Sequence, residues 1–143
     1  MIIVLDPNVL VSGLLTPFGS SGEIVRMVST GKLILEYDSR ILLEYQEVLN
    51  RSKFQFDKDQ IGSLIDYIRK NGRAVSPGPL IEHLPDPDDA PFLEVAIEGK
   101  AEYLVTGNKV HYPKRFREGI KVLSPTEFIN IYRKIKDNTV PQL

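Results

Sequence analysis

The chain has 143 residues, 42% hydrophobic and 26% charged, with a formal net charge of −1. That length and composition suit one globular domain with a real core, and the near-neutral charge excludes a global basic field, so nucleic-acid binding needs a local patch. The absence of cysteine excludes disulfides, thiolate metal sites and cysteine nucleophiles, and fits a reducing, cytoplasmic setting.

"IIVLD" (2–6) is short, apolar and β-branched, without polar alternation. That pattern suits a strand buried on both faces of a parallel sheet. It is too short and lacks the basic start of a signal peptide. No stretch approaches the roughly 20 apolar residues that cross a bilayer. The strand runs into Asp6, Pro7 and Asn8. An Asp before a Pro is helix-start chemistry, but an Asp ending a buried strand is also where α/β enzymes place metal ligands. "EIVRMVSTGK" reads as a helix closed by Gly31, and "KLILEYD" as a second strand. The spacing predicts a helix from Ser39 to about Arg51, with Ile41, Tyr45, Val48 and Leu49 on one face.

"RSKFQFD" breaks that helix. Asp57 or Asp59 caps the next, which carries Ile61, Leu64, Ile65 and Ile68 before "NGR" ends it. "RAVSP" is a weak strand. Five of the ten prolines lie between Pro77 and Pro91, and composition recovers at once, so this is a structured loop rather than a linker. "FLEVAIEGK" is a helix ending at Gly99, "EYLVTG" a buried strand, "NKVHYPKRFREG" a polar loop and "IKVL" the last strand. "SPTEFINIYRKI" opens with a capping box of Ser124, Pro125 and Glu127. Phe128, Ile131, Tyr132 and Ile135 form its predicted apolar face. One domain is expected over residues 1–136, with a flexible tail over 137–143.

Strands alternating with helices predict an α/β fold with a mainly parallel sheet and right-handed crossovers. In such sheets ligands bind beyond the carboxyl ends of the strands, where strand order reverses. Asp6 and Asn8 follow the first strand, and Thr106, Gly107 and Asn108 follow the "EYLVTG" strand. "DPDDAP" opens the helix before that strand, contributing Asp86, Asp88 and Asp89. Glu44 lies about 40° from Val48 on its helix, at the edge of the apolar stripe. A carboxylate there is costly unless something positive meets it: a metal ion, or an arginine such as Arg40 or Arg51. Oxygen ligands without cysteine or clustered histidine point to Mg²⁺ or Mn²⁺. Such an ion activates water and neutralises phosphate charge, the chemistry of phosphodiester hydrolysis.

"VLDPNVLVSGLL", "SRILLEYQEVLNRSKF", "DPDDAPFLEVAIEGKAEYLVTGNK" and "IKVLSPTEFI", in this order, resemble the PIN domain over roughly residues 2–135. The resemblance is closest to the VapC-like toxin components of toxin–antitoxin systems. It implies a three-layer α/β/α, Rossmann-like domain with about five parallel strands. It also implies a Mg²⁺- or Mn²⁺-dependent ribonuclease that leaves 5′-phosphate and 3′-hydroxyl ends. On this resemblance Asp6, Glu44 and Asp89 hold the metal, and Asn108 stands where the family has a fourth acid. Asn8, Asp86, Asp88 and Thr106 are accessory. Expected partners are an RNA substrate, a protein antitoxin and a second copy of the chain, with no membrane.

Two departures bear on activity. Pro7 replaces the family's hydroxyl residue, and Asn108 brings an amide without charge, so metal binding and catalysis are expected to be weakened. An alternative function is a PIN module that binds RNA or protein without cutting. Arg51, Lys53, Lys109, Lys114 and Arg115 form a candidate RNA rim, with Tyr112 available for base stacking. His83 and His111 are expected on the surface. A phosphoryl-accepting regulatory domain needs an Asp ending the middle strand and a Lys ending a later one, whereas the second strand here runs into "EYDSR" and "RAVSP" carries no acid. A haloacid-dehalogenase-like phosphatase needs a second Asp where Asn8 stands.

Overall fold

Five short strands and six helices alternate along the computed structural model, which describes residues 1–139. The strands are β1 (Ile2–Leu5), β2 (Ile34–Tyr37), β3 (Arg73–Ala74), β4 (Tyr103–Val105) and β5 (Val122–Leu123). The helices are α1 (Pro7–Leu15), α2 (Ser20–Ser29), α3 (Ser39–Leu49), α4 (Lys58–Asn71), α5 (Ala90–Glu98) and α6 (Pro125–Thr139). The sheet runs β3-β2-β1-β4-β5 with every pair parallel. Ile3 pairs with Leu35 on one side and Tyr103 on the other. β1 is therefore central, and strand order reverses between β1 and β4.

Continuous apolar runs explain the central strands: Ile3, Val4, Leu5, Leu104 and Val105 are all fully buried, as a sheet covered on both faces requires. α5 packs on β1, β2 and β4. Tyr37 donates its hydroxyl to the Arg69 carbonyl on α4 at 2.7 Å, while its neighbour Glu36 meets Gly99 at the end of α5. Successive strand residues face opposite ways, so α4 and α5 lie on opposite faces of the sheet. The architecture is the expected α/β/α.

Helix starts follow the side chains that cap them. Asp38 accepts from the Ile41 N–H, Asp57 from the N–H groups of Asp59 and Gln60. Ser124 and Glu127 form the reciprocal capping box, at 3.2 and 2.9 Å. The buried positions of α3 are Ile41, Tyr45, Val48 and Leu49, as its periodicity predicts.

α6 differs from expectation. Phe128 and Ile129 are buried, whereas Ile135 is exposed. β5 is only two residues long, so the second half of α6 has little sheet to cover. The helix also runs past residue 136 to Thr139; residues 140–143 of the expected tail lie outside the described residues.

Candidate metal centre

The switch point places Asp6 and Thr106 side by side. The Asp6 N–H donates to the Val105 carbonyl at 3.0 Å, pinning the end of β1 to β4. One Asp6 carboxylate oxygen caps α1 by accepting from the Asn8 N–H at 2.9 Å. The other accepts from the Thr106 hydroxyl at 3.0 Å. Cap and site residue are therefore the same side chain, which is buried. Pro7 occupies the first turn of α1, where its missing N–H costs nothing.

Asp6 opens onto a cleft of about 220 Å³. Its walls bring together Asn8, Glu44, Arg51, Asp86, Asp88, Asp89 and His111, with Val48 and Phe92 as apolar lining. Glu44 comes from α3, one residue before the buried Tyr45, whose hydroxyl donates to the Leu5 carbonyl at 2.5 Å. That bond ties α3 to the end of β1. Asp86 caps a short 3-10 turn (Pro87–Asp89) by accepting from the Asp88 N–H at 2.9 Å. The turn delivers Asp89 to the cleft, with its side chain mostly covered.

Five carboxylates thus face one guanidinium, and the electrostatics show it. Burial first, and then the neighbouring Asp86, Asp6 and Asp88, push the Asp89 carboxyl up to about 6 against the pull of His111. Burial, Glu47 and Asp88 likewise raise Glu44. Arg40 does not relieve Glu44, because it pairs with Asp38 and Glu94. Arg51 pairs with Glu47 at 3.7 Å.

The Asp89 Oδ2 atom is buried with no hydrogen-bond partner among the described residues. An orphaned carboxylate oxygen in an oxygen-lined, negative cleft suits a hard divalent cation. Asp6, Glu44 and Asp89 are the residues that could hold it. As placed, no three acidic or histidine side chains among the described residues stand close enough to share an ion.

Asn108 is not part of the cleft wall. Its backbone N–H donates to the Thr106 hydroxyl at 3.1 Å, and its side-chain amide meets His111 Nε2 at 2.9 Å. It therefore acts on the site through Thr106 and His111. His111 is partly exposed, as expected of a surface residue, and it also lines the cleft, with Nδ1 3.6 Å from Asp89 Oδ2. The i, i+3 spacing from Asn108, on a turn directly after a switch-point strand, is the signal that could have found it.

The basic rim is dispersed. Lys109 pairs with Glu127 at 2.8 Å and, with the Ser124 N–H, holds that carboxyl down to about 2. Arg115 lies 3.6 Å from Glu82, and Lys53 sits over the Phe54 ring. Lys114 is exposed, and Arg51 alone of the five lines the cleft. Tyr112 cannot stack on a base: it is fully buried, because the polar loop folds its ring inward as an anchor.

Comparison with known proteins bears on the family and the fold. Residues 2–110 match the family model of the PIN domain. An uncharacterized protein of Methanocaldococcus jannaschii is 27% identical over 143 residues, covering 92% of each chain. A chain from the crystal structure of VapBC2 of Rickettsia felis, bound to a DNA fragment from their promoter, is similar in fold. It has a TM-score of 0.56 and 20% identity over 87% of this chain and 98% of that one.

Proposed function

The chain belongs to the PIN domain family, and from that premise we propose that it is a divalent-metal-dependent endoribonuclease, the toxin of a toxin–antitoxin pair. The observation that carries this reading is the convergence of Asp6, Glu44, Asp86, Asp88 and Asp89 on one switch-point cleft. Five carboxylates around one arginine repel a phosphate unless a cation intervenes.

Asp6, Glu44 and Asp89 hold the ion, which supplies charge neutralisation at the phosphate and acidification of water. Thr106 and the Asn8 N–H fix both Asp6 oxygens, so this ligand is pre-oriented at little entropic cost. Arg51, at the mouth, meets a phosphate oxygen. Val48 and Phe92 reduce water access on one side. The VapBC2 likeness motivates the partner: a protein antitoxin that covers the cleft.

A second reading, an RNA- or protein-binding module without cleavage, draws on two observations. Asn108 adds no charge, and among the described residues no three acidic or histidine side chains stand close enough to share an ion. Incubation of a fluorescent RNA with increasing Mn²⁺ separates the two. The nuclease reading expects metal-dependent cleavage, lost by more than about 100-fold in Asp6→Asn and Asp89→Asn. Binding of RNA without cleavage at any metal concentration would establish the second reading instead.

A further inference from the structure

A chain of contacts runs along one side of the cleft, from Asp6 to Asp89. Asp6 accepts from the Thr106 hydroxyl, and that hydroxyl accepts from the Asn108 N–H. The Asn108 side chain meets His111 Nε2, and His111 Nδ1 faces Asp89 Oδ2. The 108–111 turn closes on itself through the His111 N–H and the Asn108 carbonyl at 3.2 Å. The next residue, Tyr112, is fully buried, and its carbonyl accepts from Arg117 Nε at 2.7 Å. The backbone of the turn is therefore anchored, and the imidazole is held on one side by the Asn108 amide. On its other side it faces Asp89 Oδ2, which is buried with no hydrogen-bond partner among the described residues.

Resting on the metal-centre reading above, we propose that His111 is itself a ligand, through Nδ1, of the ion that Asp89 binds. Its imidazole turns the cleft's preference from Mg²⁺ to a first-row transition ion such as Mn²⁺.

The spacing fits. Two donor atoms 3.6 Å apart, each about 2.1–2.2 Å from one ion, subtend about 115° at it, near the tetrahedral angle. An approach of about 0.6 Å brings them to an octahedral right angle. The second ring nitrogen is provided for as well. A ligating histidine donates its other N–H to an oxygen that fixes ring and tautomer, and a half-turn of the Asn108 amide presents its Oδ1 to Nε2 at hydrogen-bond distance. Asn108 is then an orienting residue, which an amide performs without charge. Imidazole favours transition ions, whereas Mg²⁺ keeps to oxygen and water in strict octahedra.

The test is metal binding by the full chain, measured by calorimetry with MnCl₂ and MgCl₂, and by pulsed electron paramagnetic resonance of bound Mn²⁺. Wild-type protein is expected to show ¹⁴N modulation from a coordinated imidazole. His111→Ala is expected to lose that signal and at least tenfold in Mn²⁺ affinity, while Mg²⁺ affinity changes less than about threefold. Thermal unfolding of the variant confirms folding, and His111→Gln, which keeps polarity and size, must show the same loss. Mn²⁺ bound by wild type without ¹⁴N modulation, or with equal loss of both ions, overturns the His111 assignment and leaves the carboxylate site standing. No binding of either ion by wild type overturns both readings.

Discussion

Glu36 offers a stability test independent of the cleft. It sits in β2, wholly buried, and neither carboxylate oxygen has a hydrogen-bond partner among the described residues. Arg73 Nε lies 3.6 Å away on the edge strand, half exposed. Burial outweighs that attraction and pushes the Glu36 carboxyl from 4.5 to about 7. The folded state then holds a proton that the unfolded state releases near 4.5. Between those values rising pH favours unfolding, because the unfolded state binds fewer protons. The stability associated with the neutral form is intact below 4.5 and lost as pH rises through about 7. At about 1.4 kcal/mol per pH unit the loss amounts to about 3 kcal/mol by pH 8.

Glu36→Gln removes the charge and keeps the shape. The amide carries its own cost for an unpaired donor, about 1–3 kcal/mol, but that cost does not depend on pH. The quantity to measure is therefore a double difference: variant minus wild type at pH 8, less the same at pH 4, by urea denaturation. It should come to about 3 kcal/mol in favour of the variant, or roughly 10 °C in melting temperature. A double difference within about 0.5 kcal/mol of zero would mean that Glu36 ionises as easily inside the fold as outside, and the burial reasoning would fail.

Gly99 has an ordinary φ of −78°, so alanine there is opposed by contact rather than backbone: its Cβ would collide with the Glu36 carboxylate. Gly99→Ala should cost about 1–3 kcal/mol, most of it recovered in a Glu36→Ala background, as read by urea unfolding. Tyr45→Phe deletes the hydroxyl bonded to the Leu5 carbonyl and should cost about 1–2 kcal/mol. Asn108→Asp presents a carboxylate to His111 and should tighten Mn²⁺ binding about tenfold in calorimetry; an unchanged affinity would count against its orienting role.

What was legible in the chain follows from the range over which each feature is encoded. Asp6, Thr106 and the acids of "DPDDAP" mark the ends or starts of elements, so local patterning placed them near the sheet's carboxyl edge before any contact was known. Glu44 came from helical phase together with the family resemblance. Glu36 shows where local reading stops. An acid inside "KLILEYD" looks like one polar position of a strand, and only the pairing of β2 between β1 and β3, with α5 above, removes it from water. Ile129 and Ile135 exchanged roles for a similar reason: a wheel fixes the angle of a stripe but not how far the neighbouring strand extends beneath it.

His111 combines both limits. Its position depends on the 3-10 turn (Lys109–His111) and on a buried tyrosine one residue later, and tyrosine in a polar loop reads as a surface ring. The residue that sequence comparison with the family marks as a loss, Asn108, is the one whose amide the structure sets against His111. A missing acid and a loop histidine three residues later are separate curiosities on paper. In the fold they are one unit, joined by the 2.9 Å contact between the Asn108 amide and His111 Nε2.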